Sequence, residues 1–476
     1  MPRVLTPDIC VIGAGSGGLS VAAAAAAFGV EVVLVEKGRM GGDCLNYGCV
    51  PSKALIAAGK AAHTAGHATT FGVSVPRVDV DFQTVHDHVH SVIAAIAPHD
   101  SVERFEGLGV TVIQDAGRFT DPDTVVAGDT EIRARRFVVA TGSSPAVPPI
   151  PGLDAVPYFT NETIFERTTC PEHLVVVGGG PIGLELAQAH RRLGAKVTVI
   201  EALRALAKEP EDLAAIVLER LRGEGIEILQ ETKVTGVSGT AGALCVTVED
   251  AAGTREIAGS DLLVAAGRTP NLDGLGLEAA GIRVTRAGIK VGADLRTSNR
   301  RVYAIGDVAG GLQFTHVAGY HAGIVIRALL FRLPAKEDRA ILPWVTFTDP
   351  EIGHVGLTEA QARTRFGKHH VKVLEAPFSG NDRAQAERRT AGLVRLVVAK
   401  RGRIVGADVV GPSAGEIVNL LSLAVSRKLT ARDLAGFVSP YPSLSEAVRR
   451  AAISYYADGA KNPWVRRLVR LLARFG

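Results

Sequence analysis

A glycine-rich pattern occurs twice in the chain, and each copy follows an apolar run and precedes a helix-like segment. The first run covers residues 8–12 and leads to an alanine-rich helix over 19–28, and the second covers 174–177. The glycines are Gly13, Gly15 and Gly18 in the first copy and Gly178, Gly180 and Gly183 in the second. Glycines at this spacing permit a tight turn and let a diphosphate approach the helix N-terminus, whose free N–H groups favour anions.

An acid closes each copy at the end of the next apolar strand. Glu36 follows residues 32–35 and Glu201 follows residues 196–200, so the acids are 165 residues apart, as are the glycines. A carboxylate in this position accepts hydrogen bonds from a ribose. One glycine pattern is weak evidence, because glycines also pack a helix against a sheet. Two copies in the same order predict two dinucleotide sites.

Three later strand-like runs end in residues suited to a ligand. These residues are Thr141 and Gly142 in the first run, Gly267 in the second, and Gly306 and Asp307 in the third. A proline-rich stretch over 145–151 predicts a linker after the first run. The last third, from about residue 342, mixes strand-like and helix-like segments and has no phosphate motif.

Two cysteines, Cys44 and Cys49, lie in the turn-rich stretch 41–53, which ends in Lys53. The chain has only five cysteines in 476 residues, and a chain of this length buries several cores without a disulfide framework. A disulfide between these two cysteines is therefore predicted to be redox-active and not a structural staple.

Charge and hydropathy argue against two broad classes of protein. The formal net charge of +4 is too small and too evenly spread for nucleic-acid binding, and the apolar runs are shorter than the ~20 residues of a membrane span. The first residues lack a basic region that leads into a long apolar run, so a cytoplasmic location is expected.

The stretch 41–53, the paired glycine patterns, Thr141-Gly142 and Gly306-Asp307 together resemble the class I FAD-dependent pyridine nucleotide-disulfide oxidoreductases. That family includes dihydrolipoamide dehydrogenase, glutathione reductase and mercuric reductase, and the resemblance spans nearly the whole chain. It implies an α/β fold with two Rossmann-like dinucleotide-binding domains and a C-terminal α+β dimerisation domain. The implied bounds are 1–147 for FAD, 148–268 for NAD(P), 269–340 for a central segment that completes the FAD site, and 341–476 for the interface domain.

The resemblance also assigns roles to residues and implies a homodimer. The implied cofactor-binding residues are Gly13, Gly15, Gly18, Glu36, Gly42, Lys53, Thr141, Gly142, Gly178, Gly180, Gly183, Glu201, Gly267, Gly306 and Asp307. Cys49 is the implied flavin-contacting thiolate and Cys44 the thiol that meets substrate. Lys53 approaches the flavin with Glu185 as its partner, although two solvated helix charges are the simpler reading of that pair.

Glu201 favours NADH over NADPH, because a carboxylate at this strand end accepts from a ribose 2′-OH and repels a 2′-phosphate. Arg204 is a contrary sign, since it comes within reach of a 2′-phosphate if its loop turns inward.

The sequence departs from the family at Tyr441, which stands where most members carry a histidine, five residues before Glu446. Histidine exchanges protons near neutral pH, whereas a phenol with a pKa of about 10 rarely acts as a base. Tyrosine here resembles the mercuric reductases, but those carry a C-terminal cysteine pair, and this chain has no cysteine after Cys245. The alternative is that Tyr441 only packs at the interface.

Three hypotheses for function follow. The first is electron transfer from NADH through FAD and the Cys44–Cys49 pair to a small disulfide, or the reverse with a dithiol. The second is reduction of a thiolate-bound metal ion, as in mercuric reductase. The third is a docking or redox-sensing flavoprotein that turns over slowly with every acceptor.

Two weaker signals remain. His63 and His67, and likewise His86 and His90, have a spacing that could hold a metal on one helix face, but the sequence shows no third ligand and we assign no metal site.

The tail 461–476 predicts a basic amphipathic helix with Trp464, Leu468, Leu471, Leu472 and Phe475 on one face and Arg466, Arg467, Arg470 and Arg474 on the other. It could bind an anionic membrane surface or a partner, or pack on its own dimer.

Overall fold

The computed structural model describes residues 3–475, which form two compact units. The first unit comprises residues up to 204 together with 225–337, and the second comprises 205–224 together with the chain from 338. Among the described residues, no helix is long and apolar enough to cross a membrane.

The first glycine pattern lies at the edge of a parallel five-stranded sheet. In spatial order the strands are Val302–Ala304, Arg136–Val139, Ile9–Ile12, Val32–Val35 and Thr111–Ile113. Every residue of Ile9–Ile12 and Val32–Val35 is buried, as expected of parallel strands covered on both faces. The carboxyl ends of the central strands therefore meet at one edge, where the glycine turn and Glu36 lie.

The second glycine pattern repeats this arrangement in a parallel four-stranded sheet. Its strands, in spatial order, are Ile226–Leu229, Lys196–Ile200, His173–Val177 and Asp261–Val264. Three antiparallel strands, Lys233–Thr240, Ala243–Asp250 and Gly253–Gly259, form a meander that packs on it. Both predicted dinucleotide folds are therefore present in the first unit.

Smaller strands complete this unit. One sheet has the order Arg3–Leu5, Thr130–Ile132, Thr124–Ala127 and Gly117–Asp121, and two strand pairs join Arg268–Pro270 to Ser143–Pro145 and Val284–Thr285 to Gly288–Ile289. The helices are Ser16–Ala27, Gly42–Asn46, Cys49–Gly66, Phe82–Ile96, Val102–Gly107, Pro181–Arg192 and Thr315–Phe331.

The helix after the first glycine turn begins at Ser16 and ends at Ala27, so the prediction of 19–28 was wrong at its start. Gly15 is extended, with φ −79° and ψ −179°, and forms the N-cap, which draws Gly17 and Gly18 into the first turn. Gly18 packs so closely against the turn that an added Cβ would lie 1.9 Å from the carbonyl oxygen of Gly13. Gly17 and Gly18 are therefore part of the helix, whereas Gly13 and Gly15 precede it.

The second unit is built on an antiparallel five-stranded sheet. Its strands, in spatial order, are Pro343–Thr346, Glu351–Gly356, Ile404–Gly411, Leu393–Val398 and Lys372–Pro377. The helices are Glu211–Gly223, Glu359–Phe366, Asp382–Ala386, Ala414–Ser426, Ala431–Gly436, Glu446–Ile453, Ala457–Lys461 and Pro463–Leu472. Leu396, Val409, Leu421 and Val448 are fully buried between the sheet and its helices.

Candidate active site

The two cysteines lie on consecutive helices, the first of which is short and packs on the first glycine turn. Cys44 is in Gly42–Asn46, and Cys49 is the first residue of Cys49–Gly66. Gly42 has φ +59°, and a Cβ there would lie 2.8 Å from the Cα of Gly15, so only glycine lets the segment approach this closely. The Asn46 amide donates to the carbonyls of Met40 (3.0 Å) and Gly42 (2.9 Å), which holds the turn between the cysteines in place.

The surroundings of the cysteine pair favour one thiol and one thiolate. A hydrogen bond from Cys44, another from the Thr315 hydroxyl 3.3 Å away, and the charge of Lys53 lower the pKa of Cys49 to about 6, against the opposing effect of the atoms packed around the sulfur. Donation to Cys49, together with burial, raises the pKa of Cys44. Near neutral pH the Cys49 sulfur is therefore the thiolate of the reduced pair, and the Cys44 thiol keeps its proton beside it.

Lys53 and Glu185 form a close ion pair. Their Nζ and Oε2 atoms are 2.7 Å apart, and the Glu185 side chain is only 7% exposed on the helix Pro181–Arg192. The structure thus joins the first dinucleotide fold to the second through this pair. Glu185 is not a solvated helix charge, so the simpler alternative for it is wrong.

The two glycine turns have the same backbone geometry. Gly13 and Gly178 have φ values of +106° and +119°, in the region that favours glycine. An added Cβ would meet nothing within 4 Å at Gly15 or at Gly180, although both residues are helix N-caps. This open space in front of a helix N-terminus suits a diphosphate.

The two acids bond in matching ways. Glu36 accepts from the N–H groups of Ala14 (2.6 Å) and Gly38 (2.7 Å). Glu201 accepts from those of Gly179 (2.7 Å) and Leu203 (2.9 Å). Each carboxylate is thus fixed at the mouth of its glycine turn, as a ribose-binding acid must be. Arg204, the contrary sign for cofactor choice, is half-buried.

Asp307 follows Val302–Ala304, an edge strand of the first sheet, and is mostly buried. Burial raises the pKa of its carboxyl group, against the opposing effects of a 2.5 Å hydrogen bond from Ser143 and the charge of Arg268. The preceding Gly306 has φ +68° and donates its N–H to Nδ1 of His321 (3.1 Å). Thr141, which follows the neighbouring strand Arg136–Val139, donates to the carbonyl of Asn271 (2.9 Å).

These residues fit FAD. The open space at Gly15 would accept a diphosphate, Glu36 would bind a ribose and Asp307 a hydroxyl-rich chain, and Cys49 with Lys53 would supply the redox sulfur and the charge beside it.

Tyr441 and Glu446 have separate partners in the second unit. The Tyr441 hydroxyl is exposed and donates to Oδ2 of Asp382 (2.8 Å), which raises the pKa of the phenol. Glu446 instead pairs with Nε of Arg450 (3.2 Å), one turn along its own helix. Tyr441 is thus a hydrogen-bond donor held by a carboxylate, and no described feature of its surroundings makes it a base.

Several residues of the site were missed by reasoning from the sequence. Thr315, the first residue of its helix, reaches Cys49 across 266 positions and belongs to no motif. Arg268 pairs with Asp43, the residue before Cys44, at 3.1 Å, and donates to the hydroxyl of Ser143 at 2.8 Å. The position of Arg268 directly after Gly267 was the only available signal.

The structure adds Glu166 to one histidine pair. His86, His90 and Glu166 bring one ligand-type atom each to within 4.8 Å of one another. His86 already contacts Asp87 (2.9 Å), and His90 contacts the carbonyl of Phe165 (3.3 Å). Because both rings have hydrogen-bonding partners, we still assign no metal site.

A thiol and thiolate pair beside two dinucleotide-binding folds defines a flavin- and pyridine-nucleotide-linked oxidoreductase. The chain belongs to the pyridine nucleotide-disulphide oxidoreductase family, whose family model matches residues 7–322 and whose dimerisation-domain model matches residues 342–452. The predicted fold class, family and enzyme class are therefore confirmed, and FAD and a pyridine nucleotide are the cofactors expected for this family.

Similar proteins differ in what they are named for. A mercuric reductase of Lysinibacillus sphaericus is 34% identical over 457 residues, covering 95% of this chain and 83% of that protein. A dihydrolipoyl dehydrogenase of Geobacillus stearothermophilus is 36% identical over 461 residues, covering 94% of this chain and 95% of that protein. The HOCl-induced flavoprotein disulfide reductase RclA from Escherichia coli, which has also been solved as a Cu(II) complex, superposes with a TM-score of 0.83 at 28% identity, covering 94% and 99%.

Proposed function

We propose that this chain is a homodimeric FAD enzyme that passes electrons from NADH through Cys49 and Cys44 to a thiophilic metal ion. The observation that carries the proposal is Tyr441 at the family's histidine position, because its phenol, which donates to Asp382, gives the cysteine pair no neutral-pH base. The matched dimerisation domain supports the homodimer.

NADH is the proposed electron donor. Glu201 is fixed by two backbone N–H groups and presents a negative charge where NADPH would carry its 2′-phosphate. Gly178, Gly180, Gly183 and Gly267 would line this nicotinamide site. In the other site, Gly13, Gly15, Gly18, Glu36, Gly42, Thr141, Gly142, Gly306 and Asp307 would hold FAD. Bound FAD would supply the two-electron chemistry that links the nicotinamide to the cysteines.

The cysteine pair divides the work on the acceptor side. Cys49 is stabilised as a thiolate by Thr315 and Lys53, and the buried carboxylate of Glu185 holds Lys53 in place. Cys44 keeps its proton in the reduced pair and releases it when it binds a metal ion, because the thiolate is the ligand form. Two thiolates then hold the ion, and the transfer of two electrons to an ion such as Hg(II) leaves the sulfurs as the Cys44–Cys49 disulfide, which bound, reduced FAD would open again.

Proton demand separates the acceptors. Opening a substrate disulfide creates a thiolate leaving group that must be protonated, and a histidine near pKa 6.5 does this well. The Tyr441 phenol, with its pKa raised by Asp382, has no such exchangeable proton near neutral pH. A metal ion leaves as the reduced metal and needs no proton. Mercuric reductases among the relatives and the Cu(II) complex of RclA agree with this preference.

A small disulfide or dithiol remains the second candidate. The dihydrolipoyl dehydrogenase relative favours it, and so does the lack of a cysteine after Cys245 that could deliver a metal ion. We nevertheless rank the disulfide below the metal ion because of Tyr441 and its contact with Asp382. This reverses the order in which the sequence alone placed the two hypotheses. Glu446, paired with Arg450, would orient the segment that carries Tyr441.

An anaerobic acceptor panel with the holoenzyme tests the proposal. NADH consumption would be followed with Hg(II) bound to excess cysteine, with Cu(II), with lipoamide and with glutathione disulfide, for the wild type, Cys44→Ala and Tyr441→His. We expect metal turnover that Cys44→Ala abolishes, and disulfide turnover that Tyr441→His raises at least tenfold without raising metal turnover. Fast lipoamide turnover by the wild type would favour the second candidate, and slow turnover with every acceptor would favour a redox sensor.

A further inference from the structure

The last helix, Pro463–Leu472, leaves its apolar side chains open to solvent. Every residue from 461 to 475 is exposed, including Trp464 at 74% and Phe475 at 79%. The other exposed apolar residues are Val465, Leu468, Val469, Leu471 and Leu472. Single exposed apolar residues are ordinary, but seven within twelve positions form a patch that marks an interaction site.

The helix separates apolar from basic side chains cleanly. At about 100° per residue, Trp464 and the apolar residues through Leu472 occupy an arc of roughly 160°. Arg466, Arg467 and Arg470 occupy the opposite arc. Val465 and Val469 widen the apolar face beyond the five residues predicted from the sequence.

The start of this helix is well defined. The Asn462 side chain caps it by accepting from the N–H of Trp464 (2.9 Å), and Pro463 occupies the first turn. Arg467 lies over the Trp464 ring at 5.4 Å from its centre, one turn along. The indole is thus held at the border between the two faces, and tryptophan is enriched at membrane–water interfaces, where its amphipathic ring has the same kind of border position.

Charge indicates the chemistry of the surface that would cover this helix. Residues 459–475 contain no acidic residue, and their five cationic side chains are Lys461, Arg466, Arg467, Arg470 and Arg474. The chain as a whole carries +4, so this short segment holds +5 and everything else sums to −1. A surface that matches it is apolar beneath and anionic above, which describes a bilayer with acidic headgroups.

We infer that residues 462–475 bind the surface of an anionic phospholipid bilayer as an interfacial helix. A helix of ten residues is about 15 Å long, too short to cross a bilayer, so it lies in the interface plane. Trp464 and the leucines enter the boundary of the acyl chains, and the arginines contact lipid phosphates. The rest of the enzyme stays on the aqueous side.

Co-sedimentation of the full-length holoenzyme with vesicles tests the inference. We expect pelleting with vesicles of phosphatidylcholine plus phosphatidylglycerol, and little with phosphatidylcholine alone. The chain has two tryptophans, so in Trp344→Phe the emission reports Trp464 alone and should shift to the blue on binding. Equal binding to both vesicles, or no binding to either, would overturn the inference.

Matched charge reversals sharpen the test. Arg467→Glu with Arg470→Glu should weaken vesicle binding about 100-fold or more, since each cation near an anionic surface contributes roughly 1 kcal/mol and each reversal also adds a repelled charge. Arg286→Glu with Arg300→Glu changes the net charge equally at exposed sites of the first unit and should leave binding within about twofold. Equal loss in both variants would mean that overall charge, and not the helix, governs binding.

Packing against the partner subunit is the competing outcome. In that case Leu468→Asp with Leu472→Asp would dissociate the dimer in analytical ultracentrifugation, and the wild type would ignore vesicles. If the inference holds, the same variant stays dimeric and loses vesicle binding. We expect these tail variants to oxidise NADH with a soluble acceptor at the wild-type rate. The membrane inference and the proposed acceptor can therefore be refuted separately.

Discussion

Thr315→Val removes the hydroxyl that lies 3.3 Å from the Cys49 sulfur and changes the side-chain volume very little. Because this hydrogen bond stabilises the thiolate, its loss should raise the pKa of the Cys49 thiol, now about 6. Cys44 and Lys53 still act on the sulfur, so the pKa should stay below the ordinary cysteine value. The replacement therefore isolates one contribution to the reactivity of the pair.

The size of the change follows from the environment of the sulfur. A hydrogen bond to a charged group contributes about 1.5–3 kcal/mol, and the solvent exposure of Cys49 as a whole residue reduces this to roughly 1 kcal/mol. Since one pKa unit corresponds to about 1.4 kcal/mol, the pKa should rise by about 0.7 to 1 unit. At pH 6 the thiolate fraction would then fall from about a half to between roughly a sixth and a tenth, whereas above pH 8.5 it would barely change.

This pKa can be measured by titrating the two-electron-reduced holoenzyme from acid to neutral pH. The signal is the absorbance of the charge-transfer band between the Cys49 thiolate and the flavin. Thr315→Ser is the matched control, because it keeps the hydroxyl and should keep the wild-type midpoint. An unchanged midpoint in Thr315→Val would refute the reasoning, and so would an equal shift in Thr315→Ser. An unchanged midpoint would mean that the Thr315 hydroxyl does not stabilise the thiolate. An equal shift in Thr315→Ser would mean that the Thr315 methyl group, and not its hydroxyl, sets the pKa.

Three further changes test other parts of the structure. Glu201→Ala should lower the ratio of kcat/KM for NADH over NADPH at least tenfold, measured with a fixed acceptor, and a wild-type preference for NADPH would contradict the assignment. Lys53→Met should raise the Cys49 pKa and lower kcat at least tenfold, whereas Lys53→Arg should retain most of the charge effect. Asp408→Asn should cost about 3 kcal/mol of unfolding free energy in urea, because His354 is fully buried beside Asp408 at 2.6 Å. Burial lowers the pKa of His354, but the hydrogen bond and charge of Asp408, the Gly356 carbonyl and the charge of Glu209 together raise it by more. This stabilisation is therefore complete below about pH 6.5 and falls as pH rises through the folded pKa.

The parts of the fold that could be predicted from the sequence are those set by short stretches of chain. Gly13, Gly18 and Glu36 lie within one strand, turn, helix and strand unit, and backbone sterics alone require glycine where an added Cβ would strike a carbonyl. The same holds for the second copy. The contact between Thr315 and Cys49 could not be predicted, because a threonine at a helix start is common and only the folded chain brings it to the sulfur.

The acceptor side of the enzyme illustrates why family membership does not name a substrate. The electron-entry side is defined by repeated local motifs, and similar proteins named for mercury, dihydrolipoyl groups and HOCl response share it. In our proposal the acceptor depends on whether the site supplies a proton, and the residue that bears on this is Tyr441, which stands where most family members carry a histidine. Asp382 belongs to no motif and lies 59 positions from Tyr441, yet it accepts the hydrogen bond of the phenol and raises the pKa of that group. Under the proposed function, a phenol that stays protonated near neutral pH would orient a thiolate-bound ion and would not cycle protons for a disulfide, so Tyr441 would favour a metal ion as the acceptor.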